Sequence, residues 1–140
     1  MKSAYFATLL GTPWRNVIQL AVPPASSQLR RARHWLRDQL DVDARVDRTH
    51  MEAVQTVASE LLGATLEAGV GKPVTLSVEL FARLTSVRVR CPGDVDLRDE
   101  PFGMRENVLQ GLAFAWGKRI YADGSVDLWA EVARPVDGSP

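Results

Sequence analysis

Two rhythms of hydrophobic and polar positions run through the chain, one with period two and one with a helical period. Val74, Leu76, Val78 and Leu80 alternate with Thr75, Ser77 and Glu79. That pattern predicts a half-buried strand over Pro73 to Phe81. Val87, Val89 and Cys91 alternate with Arg88 and Arg90, a second strand close enough to form an antiparallel hairpin with the first. Near the end, Val126, Leu128, Ala130 and Val132 face one way, and Asp127, Trp129 and Glu131 the other. Asp123-Gly124 precedes this run and supplies the positive φ of a tight turn, so Lys118 to Tyr121 and Ser125 to Val132 read as a hairpin. Asn16 to Val22 is apolar and partly β-branched, another strand, stopped by Pro23-Pro24, which lack backbone donors.

The helical rhythm appears twice in the first half. Leu29, Ala32, Leu36 and Leu40 make one stripe, with Ser26 or Ser27 as its cap. Arg30, Arg33 and Arg37 lie together on a different face. Thr49 and Glu52 have the spacing of a capping box. Met51, Val54, Val57, Leu61, Thr65 and Ala68 then mark one face of a helix about 30 Å long. Gly69-Val70-Gly71 ends it. A polar, turn-rich stretch from Pro92 to Phe102 reads as a loop or lid. Met104 to Ala115 reads as a short helix carrying Val108, Leu112 and Ala115 on one side. Amphipathic strands and helices in this order predict an α+β two-layer sandwich, a mostly antiparallel mixed sheet with helices on one face. The organisation expected is an N-terminal extension over 1–15, one domain over 16–133 and a flexible tail over 134–140.

Composition sharpens this picture. The chain has 140 residues and 46% hydrophobic content, which fits one domain with a real core. Charges balance at 17 Lys+Arg against 17 Asp+Glu, which argues against a nucleic-acid binder. Cys91 is the only cysteine, so no internal disulfide forms and a thiolate zinc site is excluded. His34 and His50 stand apart without a third ligand and are expected at the surface, so no metal site is expected. The N-terminal apolar stretch is too short for a spanning helix and poor as a signal peptide. The expected compartment is the cytoplasm.

Two stretches carry a family resemblance. Val57-Ala58-Ser59-Glu60-Leu61-Leu62 resembles the V-x-S-E-L-V that opens the N-box helix of the GHKL (histidine-kinase-like) ATPase superfamily. Trp116-Gly117, followed by Asp123-Gly124 and Val126-Asp127-Leu128-Trp129-Ala130-Glu131, resembles the C-terminal hairpin of the same superfamily. The nearest branch is the anti-sigma-factor serine kinases, and the likeness runs from about Ser26 to Val132. It implies a Bergerat-like fold, a transcription-regulating role in a partner-switching circuit, and a nucleotide pocket. Glu60 stands where the family has its general base. Ala64 stands at the asparagine that holds Mg²⁺, and a methyl group cannot ligate a hard cation. Cys91, with Gly93, stands at the D-x-G whose aspartate accepts from adenine, and a thiol is a poor acceptor. Gly103 is kept from the phosphate-closing G-x-G, while Arg105 replaces its second glycine.

Each lost contact costs roughly 1–3 kcal/mol, and three together take micromolar ATP binding to millimolar or weaker. The resemblance therefore implies a pseudokinase, not an enzyme, needing no cofactor. Glu60 is read as a relic, and the candidate partner-binding residues are Arg30, Arg33, Arg37 and Trp129. The expected partner is a sigma factor or an anti-sigma antagonist, with no nucleic acid or membrane involved. A homodimer is also expected, with the first strand or the N-terminal extension pairing across an edge. The alternative is an active serine kinase that binds Mg-ATP through altered ligands. A third reading is a purely structural subunit of a larger assembly.

Overall fold

A computed structural model describes residues 17–43, 46–92 and 106–134. The expected extension, most of the expected tail and nearly all of the expected lid lie outside these residues. The elements run β1 (Ile18–Val22), α1 (Ser27–Asp41), α2 (Arg48–Glu67), β2 (Val74–Leu80), β3 (Leu84–Cys91), α3 (Glu106–Leu112), β4 (Ala115–Ile120) and β5 (Val126–Ala133). The five strands form one sheet in the order β1-β2-β3-β5-β4. Every pairing is antiparallel, so the sheet is not mixed.

Register sorts the side chains into rows. One face carries Leu76–Val89–Leu128 and Val78–Val87–Ala130 across β2, β3 and β5. These residues are at most 1% exposed. The helices cover that face. Ala32, Leu36 and Leu40 of α1 and Val54, Val57, Leu61 and Leu62 of α2 join the same core. Burial of this kind stabilises by roughly 25 cal/mol per Å² of apolar surface. The result is the two-layer α+β sandwich that the alternation predicts.

α2 is buried more widely than a single stripe requires. His50, Gln55, Ala58, Gly63 and Ala64 are buried along with the expected positions, because α1 packs on one side of it and the sheet on the other. Its start is capped by Asp47, whose carboxylate accepts from His50 N at 2.7 Å. The expected Thr49–Glu52 capping box does not form; Glu52 pairs instead with Arg48 at 3.4 Å. Its end is a Schellman turn. Val70 N donates to Thr65 O and Gly69 N to Leu66 O, with Gly69 at φ 79°. Ala68 lies past the last helical residue and is exposed.

Two tight turns close the hairpins. Phe81 N donates to Leu84 O at 2.8 Å across Ala82-Arg83. Tyr121 N donates to Ser125 O at 2.8 Å across the turn that contains Gly124 at φ 87°. Asp123 fixes the second turn by accepting from both the N–H and the hydroxyl of Ser125. α3 ends at Leu112, and Ala115 opens β4 instead of continuing the helix. The core-facing residue of α3 is Leu109, at 0% exposure, whereas Val108 is exposed.

Candidate functional site

Those of the expected pocket residues that are described lie in the helix layer and on the inner face of the sheet. Ala64, one turn after Glu60 on α2, is 1% exposed and belongs to the apolar core. Glu60 itself is half-buried. Cys91 closes β3 on the inner face, opposite Val126 of β5, and is 0% exposed. Burial pushes its thiol up to about 11, with the nearby Asp127 carboxylate adding to the shift, so the sulfur stays protonated and inert at neutral pH. Gly93, Gly103 and Arg105 lie outside the described residues.

Among the described residues, the Ala64 and Cys91 environments offer no oxygen to a Mg²⁺-nucleotide. Mg²⁺ demands oxygen ligands in near-octahedral geometry. A methyl sealed in the apolar core offers none, and Glu60 is the single expected pocket residue among those described that carries a side-chain oxygen. Among the described residues no group of His, Cys, Asp and Glu side chains could hold a metal ion. No helix among them is long and apolar enough to cross a membrane.

The candidate partner residues occupy two opposite sides of the molecule. Arg30, Arg33 and Arg37 are all exposed on α1 in the helix layer. Arg33 is fixed there by α2: its guanidinium donates to Ser59 Oγ at 3.0 Å, and its carbonyl accepts from Gln55 Nε2 at 2.8 Å. Arg30 and Arg33 line an open groove with Ser26, Ser27, Leu29 and His34. Arg37 lines a separate hollow with Asp41, Val46, Arg48 and Met51. The α1 face thus presents two cations at one groove, of which Arg33 is held by α2, and a third one step away.

Trp129 lies on the outer face of the sheet, away from the helices. Its ring covers Gly117 of β4 so closely that a Cβ there would meet Cζ2 at 3.0 Å. Its cross-strand neighbour on the other side is Arg88. Trp129 is half-buried, and no single small surface holds both it and the α1 arginines.

Three polar arrangements were not expected. On the outer face, Arg90 Nε and Nη2 donate to the two carboxylate oxygens of Asp127 at 2.5 and 3.0 Å. Tyr121 donates its hydroxyl to Asp127 Oδ2 at 2.6 Å. Arg90 also stacks 4.3 Å from the Tyr121 ring centroid, with Arg119 at 5.3 Å from it. Asp127 is 3% exposed, and its bidentate bond is the main reason the Arg90 guanidinium is held even more firmly protonated than usual. The Tyr121 hydroxyl is shifted upward, first by burial and then by its bond to Asp127.

Beyond Arg88 and Trp129 from this cluster, Glu79, Ser86 and Glu131 form an outer-face row. Burial raises the Glu79 carboxyl, Arg88 partly opposes the shift, and its buried Oε1 has no hydrogen-bond partner.

The third arrangement lies inside. His50, expected at the surface, is 4% exposed and its Nε2 is 2.6 Å from Thr85 Oγ1. Burial, helped by the charge of Arg134, lowers its pKa to about 4, so the ring is neutral at physiological pH. The sequence signal for the outer cluster was the polar alternates of β3 and β5. They become partners only once those two strands are known to be neighbours.

No protein-family model matches the chain, and no curated protein matches it in sequence.

Proposed function

We propose that the chain is a non-catalytic regulator of anti-sigma-factor type, acting in the cytoplasm by protein–protein contact within a partner-switching circuit. The observation that carries this reading is the fate of two positions. Ala64 and Cys91, which the GHKL resemblance assigns to metal and adenine contacts, are both sealed in apolar core and offer no oxygen. Under this reading ATP binding is weak or lost, and the exposed α1 surface does the work. Arg30 and Arg33, which line one groove, would meet acidic groups of a sigma factor or of its antagonist.

Calorimetric titration with Mg-ATP tests the pocket: no binding tighter than about 100 µM is expected. Tighter binding, or transfer of labelled phosphate to a partner that Glu60→Ala abolishes, overturns the reading in favour of an active kinase. Co-purification tests the surface. A sigma factor or antagonist captured by the native chain should be lost with the Arg30→Glu/Arg33→Glu double variant. Retention by that variant removes α1 from the contact.

A further inference from the structure

We infer that residues 1–16 fold back over the outer face of their own sheet and close over an apolar patch formed there by Phe81 and Leu84. Both residues stand at the β2–β3 turn. The outer rows take the odd-numbered Thr75, Ser77 and Glu79 from β2 and the even-numbered Ser86, Arg88 and Arg90 from β3. Phe81 and Leu84 continue those two series. Phe81 N donates to Leu84 O, so the two are paired and their side chains share the outer face.

The burial of this pair calls for a cover. Phe81 is 1% and Leu84 2% exposed, yet neither belongs to the core that the helices close. The described helices pack on the other face of the sheet. On the outer face the apolar residues described nearest the pair are Val17 and Ala133, and both are themselves exposed. Glu79, one step back along β2, has a buried Oε1 that no donor meets. On a sheet face left open, that oxygen would be in water. Two apolar side chains and a carboxylate oxygen thus mark the same covered end.

Residues 1–16 are placed to supply the cover. Ile18 pairs with Val78, so Val17 arrives beside Glu79. The chain before it therefore comes in at the end of the sheet where Phe81 and Leu84 lie. Reaching Leu84 means crossing from β1 over β2 to β3, about 10 Å at the usual strand spacing. A stretch of this length can span roughly 50 Å. It carries Tyr5, Phe6, Leu9, Leu10 and Trp14, and its only charged residues are Lys2 and Arg15. The patch is bordered by the row Glu79–Ser86–Glu131. An apolar segment whose charges are all positive complements an apolar patch flanked by two glutamates.

The other undescribed stretches match less well. Residues 135–140 leave from the same end of the sheet, but they offer one aliphatic side chain, Val136, and bring Asp137 towards the glutamates. Residues 93–105 start beyond Cys91, at the opposite end of β3, and hold four acidic residues against two arginines.

Thiol accessibility in the full chain tests this. Native Cys91 is buried and its thiol is pushed up to about 11, so it does not compete. A Leu84→Cys thiol should react slowly with an aromatic disulfide reagent. Adding Phe6→Ser, Leu9→Ser, Leu10→Ser and Trp14→Ser should speed that reaction by on the order of tenfold or more while the circular dichroism stays native. Lys2→Glu with Arg15→Glu, a change that leaves the apolar side chains in place, should speed it in the same direction. Ser86→Cys, the next position on that face, serves as a second reporter that leaves the patch intact.

Val136→Ser should leave both reporters unchanged, and their protection should not vary with protein concentration. A Leu84→Cys thiol that reacts at the rate of a free thiol in the otherwise native chain overturns the inference. So does protection that survives both sets of changes in residues 1–16, or that Val136→Ser releases. Protection that grows with concentration assigns the cover to a second copy and overturns it as well.

Discussion

On the helix side of the sheet the rows read Leu76–Val89–Leu128 and Val78–Val87–Ala130; on the other side they read Ser77–Arg88–Trp129 and Thr75–Arg90–Asp127. Each side holds a well-shielded position, Leu128 at 0% and Asp127 at 3% exposure, and shields it by different chemistry. The inner face excludes water with close-packed aliphatic side chains from both layers. At the Asp127 cluster the outer face shields a polar group by satisfying it: Asp127 accepts from Arg90 twice and from Tyr121 once, whereas Glu79 on the same face keeps a buried Oε1 without a partner. Each face also carries exceptions. Thr85 interrupts the inner face and is met by His50, as a neutral pair. Trp129 interrupts the outer face and is accommodated by the missing side chain of Gly117. Where apolar packing dominates, a titratable group is held uncharged. Where hydrogen bonding dominates, an ion pair persists.

The sharpest way to break this contrast is Leu128→Ala. It empties the centre of the inner face and should cost about 2–5 kcal/mol in chemical denaturation, the range for a core cavity that cannot collapse.

The His50–Thr85 exception predicts a pH effect of somewhat smaller size. The unfolded ring takes up a proton near 6.5, and the folded ring only near 4. Between those values the unfolded state binds more protons, so stability falls as pH drops from about 6.5 towards 4 and is fully present above 6.5. The loss approaches about 3 kcal/mol at the acid end. His50→Gln should flatten that part of a stability-versus-pH curve, and a slope that persists in the variant would place the proton elsewhere.

Asp127→Ala probes the outer face. Removing the acceptor leaves Arg90 and Tyr121 without it, but Arg90 is about half exposed and can turn to water. The cost should therefore be nearer 2 kcal/mol than the 3–5 kcal/mol typical of a fully buried pair. A loss as large as that of Leu128→Ala would mean that the two faces are not distinct in how they stabilise the sheet.

Much of the fold was legible because local rules and tertiary packing agreed. Alternation located three of the strands, and an apolar β-branched run and the Asp123-Gly124 turn located the other two, to within a few residues. Gly69 and Gly124 adopt the positive φ that ends α2 and turns β4 into β5. The Ala82-Arg83 turn contains neither glycine nor asparagine, so it gave no signal of its own and was inferred from the strands on either side.

His50 was misplaced because three charged or polar neighbours at the start of a helix look solvent-facing, and only the approach of β3 buries it. Asp47 was missed as the cap because Thr49 and Glu52 offered a more familiar spacing. Within the candidate site, the chemical identities of Ala64 and Cys91 were readable. Their closure inside the core was not, because burial depends on which surfaces meet. The Arg90–Asp127–Tyr121 cluster was invisible for the same reason: its members come from three places in the chain, joined by the β3–β5 pairing.

That β1 reaches β2 only by way of α1 and α2 has a consequence for how the chain assembles. The β2–β3 and β4–β5 hairpins each close over a few residues, whereas β1 must wait for a loop containing both long helices to come back on itself. Closing a longer loop costs more chain entropy before any contact repays it. The first strand in the sequence is thus the last to find its place, docking onto a platform the later strands have already built.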